Sequence, residues 1–192
     1  MKVIFLDFDG VITIPPRWYL KADLIKNVKR IVDATGAKIV VSSAWRMNSV
    51  EETIEKMIGW PKRCPRNKML NWLIDNLYDV THTYRGLRGD EIKDWLDEHS
   101  DVENYVIMDD DGDMRDDQLY HFVQTNYEDG LTEVETKRAI KVLNRKYFQN
   151  PMALNFKLRH EHLKFCEGLP HKCEELAKYN DLCKNIDNRY GE

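Results

Sequence analysis

Short apolar runs alternate with longer amphipathic segments through most of the chain. The run Val3-Ile4-Phe5-Leu6 is continuous and rich in β-branched residues, which is typical of a strand buried on both faces of a parallel sheet. Similar runs recur along the sequence. The predicted strands cover residues 3–6, 38–41, 79–83, 105–108 and 121–124.

Apolar residues at helical spacing predict helices between these strands. The first helix begins near Leu20 and ends before Gly36, which is a plausible C-cap. Further helices are predicted over residues 49–58, 90–99 and 132–147, and the first and last of these open with a capping-box pattern. Repeated strand–helix alternation predicts an α/β fold with a doubly wound, Rossmann-like and mainly parallel sheet.

The pattern changes near residue 150, so we expect a core over residues 1–149 and a helical C-terminal extension over residues 150–192. The extension contains residue types that bind zinc, but none of its cysteines form a Cys-x-x-Cys pair. Incidental histidines and buried cysteines on a helix are the favoured interpretation. The residues concerned are His160, His162, Cys166, His171 and Cys173.

Composition excludes several classes of protein. The chain has 192 residues, of which 42% are hydrophobic and 32% charged, so a disordered chain is not expected. Its formal charge of −4 provides no general basic field for nucleic acids. Four irregularly spaced cysteines, no apolar run long enough for a membrane span and no signal-peptide core favour a cytoplasmic protein without a membrane partner. A monomer is favoured.

Acidic residues follow two of the predicted strands. Asp7 and Asp9 come after the first strand, with Gly10 permitting a sharp chain reversal, and Asp109 and Asp110 come after the fourth. Ligands of open α/β sheets bind beyond the carboxyl ends of the strands. Carboxylates gathered there repel one another unless a cation is present, and their hard oxygen donors favour Mg²⁺. The spacing does not fit a calcium-binding loop.

Four ordered motifs resemble those of the haloacid dehalogenase (HAD) superfamily. The Ser-Ser-Ala-Trp-Arg run of the second motif and the later Gly130-Leu131-Thr132 resemble the HAD domain of Swiss Army Knife RNA repair proteins. The resemblance covers residues 2–147. The motifs are Asp7-Phe8-Asp9-Gly10-Val11, Val41-Ser42-Ser43-Ala44-Trp45-Arg46, Arg88-Gly89-Asp90-Glu91-Ile92 and Ile107-Met108-Asp109-Asp110.

This resemblance implies a Mg²⁺-dependent phosphomonoester hydrolase that forms an aspartyl-phosphate. Asp7 would be the nucleophile, and Asp9 would protonate the leaving group and then activate water. The Asp7 side chain, the Asp9 carbonyl and Asp110 would hold the cation. Asp109 would bind it through water or orient Asp110.

The second and third motifs imply contacts with the phosphoryl group. Ser42 would donate a hydrogen bond to a phosphoryl oxygen and Arg88 would neutralise charge, although the superfamily usually has lysine there, which leaves Lys93 as the alternative. The remaining substrate-binding candidates are Gly10, Ser43, Arg46 and Lys93. For Arg46, an exposed position at a helix start fits the sequence equally well.

The short segments between motifs imply a minimal cap and an open site that admits a large substrate, such as a nucleotide or a polynucleotide terminal phosphate. Residues 61–72 carry four basic residues and lie between Trp60 and Trp72, which suits a nucleic-acid end. A solvated basic loop with two core tryptophans is the alternative. The basic residues are Lys62, Arg63, Arg66 and Lys68.

Two non-catalytic functions remain as alternatives. A HAD-like domain that only binds phosphate or a partner would not require the intact Asp7, Asp9 and Asp110. A phospho-acceptor of the response-regulator type is disfavoured, because its acidic cluster follows the first strand, whereas the Asp109–Asp111 cluster comes late in the chain.

Overall fold

A computed structural model describes residues 1–16, 19–60, 64–83 and 86–145. These residues belong to one compact unit, Met1–Arg145. The predicted C-terminal extension, including the zinc alternative, lies outside the described residues. Lys62 and Arg63 of the basic segment also lie outside them.

Parallel strands form a single sheet in the described part of the chain, in the order β3-β2-β1-β4-β5. The strands are β1 (Lys2–Leu6), β2 (Lys38–Val41), β3 (Leu77–Val80), β4 (Asn104–Asp109) and β5 (Phe122–Gln124). The central strand β1 pairs with both β2 and β4, so that Leu6 lies between Val41 and Met108. The prediction of a doubly wound, Rossmann-like parallel sheet is confirmed.

Helices cover both faces of this sheet. The helices are α1 (Ala22–Thr35), α2 (Val50–Ile58), α3 (Lys68–Asp75), α4 (Arg88–Glu98) and α5 (Glu133–Leu143). On one face, α1, α2, α3 and α5 contribute buried residues to the larger hydrophobic core. On the other face, α4 buries Ile92 and Trp95 in a smaller core, where the Trp95 ring meets Phe5 edge-on at 5.3 Å. No helix among the described residues is long and apolar enough to cross a membrane.

Helix ends follow the capping signals of the sequence. The Ser49 side chain accepts a hydrogen bond from Glu52 N at the start of α2, and Thr132 and Glu135 form a reciprocal capping box at the start of α5. Gly36 ends α1 in the left-handed conformation, with φ 69°. The predicted cap at Gly36 and the predicted capping box of α5 are confirmed. Helix α2 has the Ser49 half of its predicted capping box, but Glu52 Oε2 accepts a hydrogen bond from Asn48 N in place of Ser49 N.

Three elements differ from the predicted pattern. Helix α5 ends at Leu143, short of the predicted end at residue 147. Helix α3 was not predicted, because its first turn lies in the basic segment. It forms because the Asn67 side chain accepts hydrogen bonds from its first amides and because Leu70 and Leu73 are buried. Strand β3 begins and ends earlier than predicted. Its pairing stops at Val80 because the partner strand β2 ends opposite it, at Val41.

The two tryptophans beside the basic segment have different environments. Trp60 is 40% exposed, whereas Trp72 packs against the larger core. Arg66 and Lys68 line an open groove together with Trp72. The alternative of two core tryptophans therefore holds for Trp72 and not for Trp60.

Asn104 joins β4 to the end of α5. Its Nδ2 donates hydrogen bonds to Val142 O at 2.8 Å and to Leu143 O at 3.2 Å, and its side chain is buried. We predict that Asn104→Ala lowers the free energy of unfolding by about 1–3 kcal/mol, because it leaves buried carbonyls without these donors. Chemical denaturation measures this change. Val134→Ala, at an exposed position of α5, should change stability by less than about 0.5 kcal/mol, and equal losses in the two variants would contradict the assignment.

Candidate active site

Three carboxylates meet where the strand order of the sheet reverses. The chain builds β1, β2 and β3 outward in one direction and then crosses to β4 on the other side of β1. Asp7 follows β1, Asp109 ends β4, and Asp110 follows it. One carboxylate oxygen from each residue lies within 4.8 Å of the others. We call these three residues the acidic group.

Gly10 allows Asp110 to approach Asp7. A Cβ atom at position 10 would lie 2.3 Å from the Asp110 Cγ, which is far inside van der Waals contact. The residue also has φ +73°, a conformation that favours glycine. The sequence predicted the chain reversal here, and the structure adds that the hydrogen of Gly10 faces the Asp110 carboxylate. The Gly10 carbonyl accepts a hydrogen bond from Thr125 Oγ1 at 2.8 Å.

Arg88 lies against two members of the acidic group. Its Nη2 is 3.8 Å from Asp7 Oδ1, and its Nε is 3.4 Å from Asp109 Oδ2. The second contact is an ion pair without hydrogen-bond geometry, so Asp109 Oδ2 is buried without a hydrogen-bond partner among the described residues. The other oxygen, Asp109 Oδ1, accepts a hydrogen bond from Asp111 N at 3.0 Å.

The loop after β4 positions the start of α4, and with it Arg88. Asp113 Oδ2 accepts a hydrogen bond from Arg88 N at 3.0 Å. Gly89 packs so tightly on this loop that a Cβ there would lie 2.5 Å from Arg115 N. Lys93, one turn later, instead pairs with Asp97 on the surface of α4. The structure thus brings Arg88 to the acidic group and does not bring Lys93 there.

Glu91 connects Arg88 to Arg46. Glu91 Oε2 accepts hydrogen bonds from Arg88 Nη1 at 3.2 Å and from Arg46 Nη2, and the Glu91 side chain is buried. Arg46 is also buried, which contradicts the alternative of an exposed position at a helix start.

Each of the five N–H donors of Arg46 has an acceptor. Besides Glu91, the acceptors are the carbonyls of Ser42 and Ser43 after β2 and of Thr81 and His82 after β3. Arg46 therefore binds two loop backbones and one helix together. The sequence suggested that Arg46 binds substrate. Because all five of its donors are engaged in this way, the structure places Arg46 as a support of the loops around the site.

The two serines of the second motif have different environments. Ser42 Oγ is buried and has no hydrogen-bond partner in the described part of the chain. The Ser43 hydroxyl instead lies near Asp7, where it lowers the pKa of this carboxyl, and it accepts a hydrogen bond from Trp45 N at 3.3 Å. Both serines lie at the carboxyl end of β2, next to the acidic group.

Asp9 is held apart from the acidic group by two donors. Trp45 Nε1 donates to Asp9 Oδ2 at 2.8 Å, and Thr13 Oγ1 donates to Asp9 Oδ1 at 2.7 Å. Among the described residues, the group of carboxylates close enough to share a cation does not include the Asp9 side chain.

Comparison with known families identifies this arrangement. The model of the HAD domain in Swiss Army Knife RNA repair proteins matches residues 3–136, which include β1 apart from Lys2, the whole of β2 to β5 and the acidic group. The chain belongs to this family of HAD domains. Comparisons with curated proteins and with solved structures gave no significant match. This family is of the phosphohydrolase type. The match confirms the resemblance seen in the four motifs.

Electrostatics in this HAD domain favour a bound cation. Burial first, and then the charge of Asp109, raise the pKa of Asp7 from 3.8 to about 8. Burial also raises the pKa of Asp109 to about 6 and raises that of Asp110. Even with Arg88 beside them, three ionised carboxylates are therefore costly here without a further positive charge. The carboxylate oxygens of the acidic group, all within 4.8 Å of one another, fit a hard divalent cation.

Sequence reasoning missed several residues that support the site of this HAD domain. Glu91, Trp45, Thr13 and Asp113 each hold a predicted site residue in place. Glu91 and Trp45 lie inside quoted motifs, so their positions were a usable signal. No periodicity marks Thr13 or Asp113, because their partners become neighbours only in the folded chain.

We predict that stabilisation of this HAD domain by Mg²⁺ increases from pH 5.5 to pH 8. Because the folded pKa of Asp7 is raised, its contribution to metal-free stability is full below about pH 4 and is lost as the pH rises through about 8. A cation competes with these protons, so it binds better at high pH. At ten times its Kd it adds about 1.4 kcal/mol, or about 3–6 °C in Tm.

Thermal denaturation with Mg²⁺ or a chelator measures this effect. Asp110→Asn should lose the Mg²⁺-dependent increment, while Asp97→Asn, on the exposed surface of α4, should keep it. An increment that is independent of pH, or larger at pH 5.5, would contradict the prediction.

Proposed function

We propose that this domain is a Mg²⁺-dependent phosphomonoester hydrolase that works through an aspartyl-phosphate on Asp7. The observation that carries the proposal is the convergence of Asp7, Asp109 and Asp110 within 4.8 Å, with Arg88 3.8 Å from Asp7. A nucleophile, a cation-binding donor set and a fixed positive charge are the parts that phosphoryl transfer requires.

In the first step, an oxygen of Asp7 attacks phosphorus, and the bond from phosphorus to the leaving oxygen breaks. Asp9 gives its proton to that oxygen, so the alcohol departs neutral. In the second step, the Asp9 carboxylate takes a proton from water as the water attacks the phosphoryl group. The Asp7 carboxylate and inorganic phosphate are released, and Asp9 is again protonated.

Other side chains stabilise the charge that develops on the phosphoryl oxygens. Arg88 lies within ion-pair distance of Asp7 and remains fixed by Glu91 and Asp113. Ser42 supplies a hydroxyl donor for a phosphoryl oxygen. Asp7, Asp110 and the Asp9 carbonyl would hold Mg²⁺, which supplies charge neutralisation when bound.

The proposed substrate is a nucleotide or the terminal phosphate of a polynucleotide. The family takes its description from RNA repair proteins, and we extend that association to the substrate of this chain. Arg66 and Lys68 add positive charge beside Trp72 at an open groove, and although Asp75 also lines it, the two basic residues leave a positive balance that suits a polyanion. A cytoplasmic location remains a prediction of the sequence.

Hydrolysis of an aryl phosphate, with and without Mg²⁺, tests the proposed function. We expect turnover that requires Mg²⁺ and that falls at least about a thousandfold in Asp7→Asn, because that variant lacks the nucleophile. Asp97→Asn serves as a control with the same chemical change on the surface of α4. Phosphate binding without turnover in the wild-type protein would favour a non-catalytic binding domain instead.

Ser42→Ala separates a functional role of this serine from a structural one. The substitution removes a buried hydroxyl that has no hydrogen-bond partner among the described residues, so the free energy of unfolding should stay unchanged or rise by up to about 2 kcal/mol. Turnover should fall about a hundredfold, because a phosphoryl oxygen loses a donor. Denaturation and steady-state kinetics on the same samples measure both quantities.

Ser43→Ala is the matched comparison, because it removes a hydroxyl that already accepts a hydrogen bond from Trp45 N. That variant should lose about 1 kcal/mol of stability. Full turnover in Ser42→Ala would remove Ser42 from the phosphoryl site.

A further inference from the structure

Two side chains outside the acidic group hold the Asp9 carboxyl by both of its oxygens. The indole Nε1 of Trp45 donates to Oδ2 at 2.8 Å, and the hydroxyl of Thr13 donates to Oδ1 at 2.7 Å. Two hydrogen bonds to the two ends of one carboxyl group fix both its position and the rotation of its plane.

The two donors differ in chemistry. An indole N–H only donates, so Oδ2 of Asp9 serves as an acceptor whether or not the carboxyl carries a proton. A hydroxyl both donates and accepts, so Thr13 can adapt to either form of Oδ1. Trp45 therefore keeps Oδ2 turned towards the indole in both forms of the carboxyl.

Both donors are themselves immobilised. Trp45 is 3% exposed and meets the rings of Phe8 and Trp60 edge-on, at 5.6 Å and 5.7 Å. Thr13 is fully buried, and its backbone N donates to Phe8 O at 2.8 Å while its carbonyl accepts from Gly10 N. The tight turn after β1 thus carries one donor, and the segment after β2 carries the other.

We propose that Trp45 and Thr13 are positioning residues that hold Asp9 at the leaving-group oxygen of the substrate. The inference rests on the proposed function, in which Asp9 transfers a proton as the phosphorus–oxygen bond breaks. General acid catalysis requires the acid within hydrogen-bond distance of the departing oxygen, and displacement by about 1 Å can cost a hundredfold in rate. The need for Trp45 and Thr13 therefore depends on how much the leaving group requires protonation.

A series of phosphomonoesters with different leaving groups tests this inference. The leaving group of 4-nitrophenyl phosphate, 4-nitrophenolate, departs as a stable anion. The alkoxide leaving groups of glycerol phosphate and nucleoside monophosphates need a proton. For Trp45→Phe we expect kcat/KM to fall about a hundredfold with the alkyl esters and less than about fivefold with the nitrophenyl ester. A plot of log kcat/KM against leaving-group pKa should become steeper than in the wild-type protein.

Trp95→Phe is a matched control. Trp95 Nε1 also donates to a carboxylate, Asp79 Oδ2, at 2.8 Å, and Trp95 is 1% exposed, but this pair lies between α4 and β3. The substitution removes the same kind of hydrogen bond and the same ring volume from a buried position. It should leave the dependence on leaving group unchanged, even if stability falls.

Thr13 provides a second, independent variant pair. Thr13→Val keeps the shape and removes the hydroxyl, so it should steepen the same plot. Thr13→Ser keeps the hydroxyl and should restore the wild-type slope. This pair tests the inference even where Trp45→Phe folds poorly.

Equal losses of kcat/KM across all leaving groups, or no loss, in Trp45→Phe and Thr13→Val would overturn the inference while the wild-type activity still supported the proposed function. A wild-type protein that hydrolyses neither class of ester would contradict the proposed function, and the inference with it.

Discussion

The buried ion pair between Arg46 and Glu91 supports the rest of the candidate site. Arg46 binds four backbone carbonyls after β2 and β3, and Glu91 is its connection to α4. Removing one partner of such a pair typically costs about 3–5 kcal/mol, because the other charge stays buried and uncompensated. The loops that carry Ser42 and Thr81 and the helix that carries Arg88 are therefore held by one guanidinium group.

The chain of charges continues from Glu91 through Arg88 to the acidic group. Two arginines here face the four carboxylates of Glu91, Asp7, Asp109 and Asp110, so negative charge is in excess. A divalent cation would offset this excess. Burial is the largest cause of the raised pKa values of Asp7 and Asp109, and the charges of neighbouring carboxylates raise both pKa values further.

Much of this organisation is readable from the sequence. Buried parallel strands have distinctive apolar runs, and their carboxyl ends meet at one edge of the sheet, so the convergence of Asp7 with Asp109 and Asp110 follows from topology. The buried position of Arg46 does not follow from topology. Its hydrogen-bond acceptors include carbonyls from a loop about 35 residues away in the sequence. Helix α3 was missed because a basic first turn hid the apolar spacing of Leu70 and Leu73.

The end of α5 has a practical consequence for defining the smallest autonomous folding unit. The family match stops at residue 136, in the first half of this helix, yet Ala139, Val142 and Leu143 beyond it are among the core residues. A fragment trimmed to the matched boundary would lose part of the cover on one face of the sheet and would deprive Asn104 of its acceptors. A shortened polypeptide should therefore retain the chain as far as Arg145, whose guanidinium also binds Tyr120 O.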